Sequence, residues 1–195
     1  MLEALLVIAY GDGSAPDLEL CRTCLSGYKR IGSNGAADIA LDLLETLPAL
    51  TSEIIRYLIG VSDELQAKVV ASTIVKLLFS SETIHPWQRH WFLRLLSNRA
   101  FRSEISARDA KRIFALGIDR NEHWAARAQA IRVVAGLDEE AQWRKLKYLY
   151  PEESNPDVKH AVLLAAARLP TPEKKAFLRM ARGTDPVTDA LIAIL

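Results

Sequence analysis

The most constraining stretch of this chain is NPDVKHAVLLAAARLP, which runs from Asn155 to Pro170. Proline stands near each end, and between them the residues are almost all alanine, leucine and valine. Beyond Asp157, the formal charges are Lys159 and Arg168. A helix lying on a protein surface shows a polar face to water, and one that crosses a bilayer needs about 20 apolar residues. A helix this short and this apolar must be covered by other helices of the same protein.

The chain has the material to do that. It holds 195 residues, 50% of them hydrophobic, enough for a sizeable core. Nine glycines and eight prolines place it outside the low-complexity and disordered classes. No apolar run reaches the roughly 18 to 20 residues of a membrane span, so no membrane association is expected. The start MLEALLVIAYGDG has no basic leader region, which predicts no signal peptide. Two cysteines are too few for a disulfide scaffold, and a cytoplasmic setting is expected.

Helix punctuation is dense. Pro86 follows His85, Pro156 follows Asn155, Pro172 follows Thr171, and Pro186 follows Asp185. Asn, Thr and Asp cap helix N-termini, and proline suits the first helical position. Gly60, Gly117, Gly136 and Gly183 read as stop signals. Between them apolar residues recur at three and four: Leu65, Val69, Ser72, Ile74, Leu77 and Leu78, then Trp87, Trp91, Leu95 and Leu96. No run alternates as a strand would. The expectation is an all-α chain of about ten helices.

The apolar stretch also has a partner in sequence. RAQAIRVVAGL (Arg127–Leu137) aligns with KHAVLLAAARL (Lys159–Leu169) at an offset of 32 residues. A basic residue leads both, Ala135 meets Ala167, and Leu137 meets Leu169. A more charged segment follows each, and a third start, DPVTDALIAIL, begins at Asp185. Helix pairs repeating at about 30 residues are the signature of a solenoid, whose inner helices carry small residues because neighbouring repeats approach closely.

On these residues the segment NPDVKHAVLLAAARL resembles the second helix of a HEAT repeat. Asn155, Pro156, Val158, Lys159, Ala161, Ala165 and Leu169 match that pattern. Residues 124–137 match it without the proline, with Trp124 in place of something smaller, and residues 1–84 match much less well. The resemblance implies a HEAT-like α-solenoid of antiparallel helix pairs from residue 119 onward, and a single repeat domain over 1–195. A weaker resemblance links HPWQRHWFLRLLS, WAARAQAIRVVAGL and VKHAVLLAAARLPTPEKKAFL to the helical C-terminal region of bacterial phage-defence (abortive-infection type) reverse transcriptases. The Tyr-x-Asp-Asp turn of their catalytic half does not occur here. That resemblance implies a helical module without the polymerase, or a fragment of a longer protein.

No set of residues assembles into a catalytic site. CRTC (Cys21, Cys24) is one Cys-x-x-Cys pair, while structural zinc needs four ligands, and His85 and His90 are distant candidates to complete it. On a helix the two cysteines are better read as core residues. Asp12 and Asp17 in YGDGSAPDLE miss the calcium-loop spacing and read as a connecting turn. Asp138, Glu139 and Glu140 open a helix, where their charge favours the dipole. His123 and His160 read as packed or surface histidines. The expectation is a non-catalytic protein with no cofactor, no metal and no small-molecule substrate.

Charge is the remaining signal. Residues 1–84 hold six Lys/Arg against eleven Asp/Glu, a net of −5, and residues 85–195 hold nineteen against thirteen, a net of +6. Within the basic part, Gln88–Arg112 carries Arg89, Arg94, Arg99, Arg102, Arg108, Lys111 and Arg112 against Glu104 and Asp109. Trp87, Trp91 and Phe92 are interleaved, a mix that suits phosphate contact with base stacking. An acidic protein surface would suit the same charges, and so would a plain solvated face over packed tryptophans. This strip, with Arg127 and continued by Arg120, Arg132, Arg144, Lys145 and Lys147, is the expected contact surface. The expected partner is a protein, another copy of the chain, or a nucleic acid. The apolar end ALIAIL favours the protein or self-association reading, because a free solenoid end normally carries a polar cap.

Overall fold

A computed structural model describes residues 17–80, 84–135, 137, 139–169 and 171–195. Asp12, Gly136 and Asp138 lie outside the described residues, as do the side chains of Glu139 and Glu140. All regular structure among the described residues is helical, with twelve α-helices and two short 3₁₀ turns. The count exceeds the expected ten because elements such as the four-residue helix Arg99–Arg102 are too short to carry a readable period. None of these helices is long and apolar enough to cross a membrane. The chain divides into two compact units, Met1–Ile105 and Ser106–Leu195. The charge boundary at residue 84 therefore falls inside the first unit.

Unit 1 contains α1 (Leu18–Ile31), α2 (Ala37–Thr46), α3 (Thr51–Gly60), α4 (Ala67–Ser80), α5 (Pro86–Leu96) and α6 (Arg99–Arg102). Asp17 caps α1 by accepting the amides of Glu19 and Leu20 at 3.0 Å, a local reason for the helix to begin there. Helix α3 is the central element: it packs against α1, α2 and α5 and buries Ile54, Ile55, Tyr57 and Leu58. Thr51 at its start is fully buried, donating to the Pro48 carbonyl at 2.7 Å and accepting from Gln88 Nε2 of α5 at 3.4 Å. Helix α4 packs on α5 and α6. Its buried face is Val70, Ala71, Ile74, Val75, Leu77 and Leu78, while Val69 is 49% exposed. Ile74, Leu77 and Leu78 of the expected stripe do face the core, while Val70 takes the place expected for Val69 and Ser72 is exposed.

Unit 2 contains α7 (Ala107–Ile118), α8 (Trp124–Val134), α9 (Glu139–Glu152), α10 (Pro156–Ala166), α11 (Thr171–Ala181) and α12 (Pro186–Ile194). Helix α8 packs against α7 and α10, and α10 also meets α9, α11 and α12. Helices α8 and α10 are the aligned segments of the sequence. Each has 11 residues. Their caps, His123 and Asn155, stand at the expected offset of 32 residues.

Two arginines join these helices at opposite ends. Near the N-termini, Arg127 of α8 binds Glu153 just before the α10 cap. Past the C-termini, Arg168 donates to the Ala135 carbonyl that closes α8. Like ends therefore lie together, and the two helices run side by side in the same direction.

Their cores explain the composition. Helix α8 buries every residue from Ala126 to Ile131, then Val133 and Val134. Helix α10 buries Val158, Ala161, Val162, Leu163, Ala165 and Ala166. Cover is not complete on α10, because Leu164 remains 37% exposed.

The glycine and proline signals sort into different physical roles. Asn155 and Asp185 cap α10 and α12 as expected, each ahead of a proline at the first turn. His85 and its proline do the same for α5, with an imidazole nitrogen as acceptor. Gly183 follows α11 at φ +81°, the left-handed conformation in which a Cβ is strained. Gly117 is the penultimate residue of α7, so the helix ends beside it, but without the left-handed turn of Gly183. A Cβ there would stand 2.9 Å from Ile131 Cγ1 of α8. Glycine is needed there for the close approach of two helices.

Candidate functional site

The basic strip of the sequence divides between the two units. Arg89, Arg94, Arg99 and Arg102 belong to unit 1, while Arg108, Lys111, Arg112 and Arg127 belong to unit 2.

One of these eight is not a surface residue. Arg127 is 5% exposed, and its Nη2 donates to Glu153 Oε2 at 2.5 Å. Its Nε reaches the Gly117 carbonyl at 3.4 Å, and Glu153 Oε1 accepts the Asn155 amide at 2.9 Å. A guanidinium can be buried in this way because a paired carboxylate and a carbonyl take its hydrogen bonds. Burial pushes the Glu153 carboxyl up, but the Asn155 amide and the Arg127 guanidinium outweigh it and hold the group below its ordinary value. Arg127 therefore leaves the expected contact surface and becomes the link between α7, α8 and the start of α10. In sequence it reads like any exposed arginine, since the Glu153 that pairs with it lies 26 residues away.

The remaining unit 2 residues do form a face. Helix α7 buries Ala110, Ile113, Phe114 and Gly117 on one side. The other side presents Arg108, Lys111 and Arg112, all exposed at the i, i+3, i+4 spacing of a single stripe. Asp109 partly offsets Arg112 at 3.5 Å. Helix α9, which touches α7, presents a second stripe of Arg144, Lys147 and Tyr148, with Tyr148 76% exposed. Lys145 joins the two helices, its Nζ 5.9 Å from the Phe114 ring. Arg120 spends its charge on Glu152. Arg132 is half-buried and donates to Gln129 Oε1 at 3.1 Å.

Two cationic stripes thus stand on touching helices, the one on α9 carrying the exposed Tyr148 ring. Tyr148 is missing from the sequence reading, although the signal exists: Arg144, Lys147 and Tyr148 share one side at i, i+3, i+4.

In unit 1, Arg94 and Arg99 are exposed and Arg89 and Arg102 are half-buried. Arg94 stands 4.9 Å from the Trp91 ring centroid, and Arg56 of α3 stands over the same ring at 5.0 Å. These contacts are cation–π interactions. The Trp91 indole, a candidate for base stacking or for packing, is covered by two guanidiniums of its own unit. Trp87 is the more accessible ring, 38% exposed and tilted against His85 at 6.2 Å.

No protein-family model, curated protein or solved structure matches the chain.

The other candidates resolve into structure. Cys21 and Cys24 are 0% and 2% exposed on the inner face of α1. Burial pushes both thiols up, and for Cys21 the neighbouring Cys24 and Asp17 add to the effect. His123 is exposed and caps α8, its Nδ1 accepting the Ala125 amide at 3.3 Å. His85 caps α5 likewise through the Trp87 amide at 3.4 Å. Each imidazole therefore carries its proton on Nε2 when it caps. Among the described residues no group of three or more His, Cys, Asp or Glu side chains is placed to hold a metal ion.

Proposed function

We propose that the chain is a non-catalytic helical-repeat module whose α7–α9 face holds an anionic partner, a nucleic-acid strand first of all. The observations that carry this reading are the exposed stripe of Arg108, Lys111 and Arg112 on α7 and that of Arg144, Lys147 and Tyr148 on α9, the helix it touches. Closely spaced cations gain from phosphate contact through counterion release, and a free phenol ring offers a stacking platform.

The module is read as a right-handed, HEAT-like stack of the antiparallel pairs α7–α8, α9–α10 and α11–α12. The 32-residue offset and common direction of α8 and α10 support it, because equivalent helices of successive repeats run parallel. The reverse-transcriptase resemblance would place such a module beside a polymerase, and it uses the same face.

The test is binding of a labelled single-stranded oligonucleotide to the intact chain and to the Arg108→Ala, Lys111→Ala, Arg112→Ala triple variant. The reading expects binding that the triple variant weakens at least tenfold. Absence of binding at low salt would overturn it.

A second reading, a protein partner or a second copy of the chain, is favoured by a different observation. Val187 and Ile194 on α12 are 59% and 83% exposed, and Met180 on α11 is 44% exposed. Sedimentation across concentration tests self-association, which the Ile194→Asp variant should abolish.

A further inference from the structure

Three of the six Lys/Arg of residues 1–84 converge on one pocket, although that stretch carries a net charge of −5. The pocket lies between α1 and α3 in unit 1, with a volume of about 360 Å³, at the lower end of the range for small-ligand sites. Arg22, Lys29 and Arg56 line it together with Ser26, over an apolar floor of Leu25 and Tyr57. The floor is rigid. Leu25 and Tyr57 are each 1% exposed, and the Tyr57 hydroxyl donates to the Ser33 carbonyl at 2.9 Å while accepting the Ala36 amide at 3.3 Å.

Ion pairing inside the protein accounts for Arg22 and not for the other two cations. Glu53 is the one carboxylate in the lining, and it stands 3.7 Å from Arg22, which Glu19 holds from outside the pocket at 2.5 Å. Among the described residues Lys29 and Arg56 have no carboxylate partner. Arg56 instead lies over Trp91, so a single guanidinium borders the pocket and also touches an indole.

The Lys29 stem lies along the end of α3. A Cβ at Gly60 would stand 3.0 Å from Lys29 Cγ and 3.3 Å from its Cε, so the lysine stem uses the space that glycine leaves at the end of α3. Like charges gathered in this way repel until an anion enters. A carboxylate is satisfied by one bidentate arginine, whereas several cations approaching from separate backbone positions suit the many oxygens of a phosphoryl group.

We propose that this pocket binds a phosphoryl group, with Arg22, Lys29 and Arg56 contacting its oxygens and Ser26 donating a further hydrogen bond. The group belongs either to a small phosphate compound or to the backbone of a nucleic-acid strand. The pocket belongs to unit 1 and the α7–α9 face to unit 2, and neither proposal needs the other.

The test is amide and indole NMR of the full chain at constant ionic strength, titrated with inorganic pyrophosphate and, separately, with an oligothymidylate. The expected result is a saturable shift of the Ser26 and Lys29 amides and of the Trp91 indole N–H, assigned with Trp91→Phe. The Arg22→Gln, Lys29→Gln double variant should weaken that binding at least tenfold, and Glu53→Gln should tighten it. Shifts with pyrophosphate alone assign a small phosphate ligand, and competition between the two probes assigns a strand phosphate. The pocket is refuted if neither probe gives a saturable shift there, or if the shifts survive unchanged in the double variant. An oligonucleotide that binds without moving these resonances overturns the pocket and leaves the α7–α9 reading standing.

Discussion

Arg127 and Glu153 form a buried ion pair, 2.5 Å between Nη2 and Oε2, with side chains 6% and 5% exposed. Removing one partner of such a pair leaves an uncompensated charge in the interior, at a cost of about 3 to 5 kcal/mol. Arg127→Ala is therefore expected to destabilise unit 2 by about that amount, read by chemical denaturation. The Arg127→Met, Glu153→Gln double variant should lose clearly less than the sum of its single variants, because no lone charge remains. Additive losses would contradict the pairing.

The same carboxyl predicts an acid transition. Glu153 is held below its ordinary value of 4.5 when folded, so the unfolded chain binds the proton more readily. The stability it contributes is then fully present above about pH 4.5 and is lost as pH falls through the lower folded value. Denaturation followed from pH 6 to pH 3 should show a steeper loss in the native sequence than in Glu153→Gln. Equal slopes would contradict it.

At Gly117 two effects oppose each other. Alanine inside a helix gains about 1 kcal/mol over glycine in propensity. A Cβ 2.9 Å from Ile131 Cγ1, with the Ile131 amide at 3.5 Å and Ala130 Cβ at 3.6 Å, must push a stiff β-branched side chain on α8. Overpacking of that kind costs about 1 to 3 kcal/mol and wins. Gly117→Ala is expected to lower the melting temperature, and an unchanged or raised value would show that α7 and α8 are not so close.

How much of the molecule is legible in its sequence differs from element to element. The helices and the 32-residue offset follow from caps and periodicity, because Asn155, Asp185 and the alanines of α8 and α10 act locally. In α4, Ile74, Leu77 and Leu78 read true and the start of the stripe reads one residue out, since Val69 and Val70 are equally apolar and only packing chooses between them. Gly117 marks the end of α7 to within one residue, but its close approach to α8 is not readable, because both leave the same letter. Among the basic residues, Arg108, Lys111 and Arg112 fall on one stripe by spacing alone. Arg127 cannot be separated from them in sequence, because the carboxylate that buries it is distant. The pocket of Arg22, Lys29 and Arg56 is invisible for a related reason: its cations come from two helices within the half of the chain that sums to a negative charge.

The thiols give an independent check on unit 1. Cys21 and Cys24 are buried, and burial pushes both thiols up, which leaves little thiolate to react near neutral pH. In the folded protein both should react with a disulfide reagent far more slowly than in denaturant. Fast reaction of either one in the native state would place the cysteine face of α1 at the surface.

The most direct test of the interaction-module account is the salt dependence of oligonucleotide binding. The logarithm of affinity should fall linearly with the logarithm of salt concentration. Each phosphate of a single strand that a cation neutralises adds roughly 0.7 to the steepness of that line, so replacing Arg108, Lys111 and Arg112 by alanine should flatten it by about 2. A slope left unchanged by the triple variant would mean that the α7–α9 face does not hold the strand.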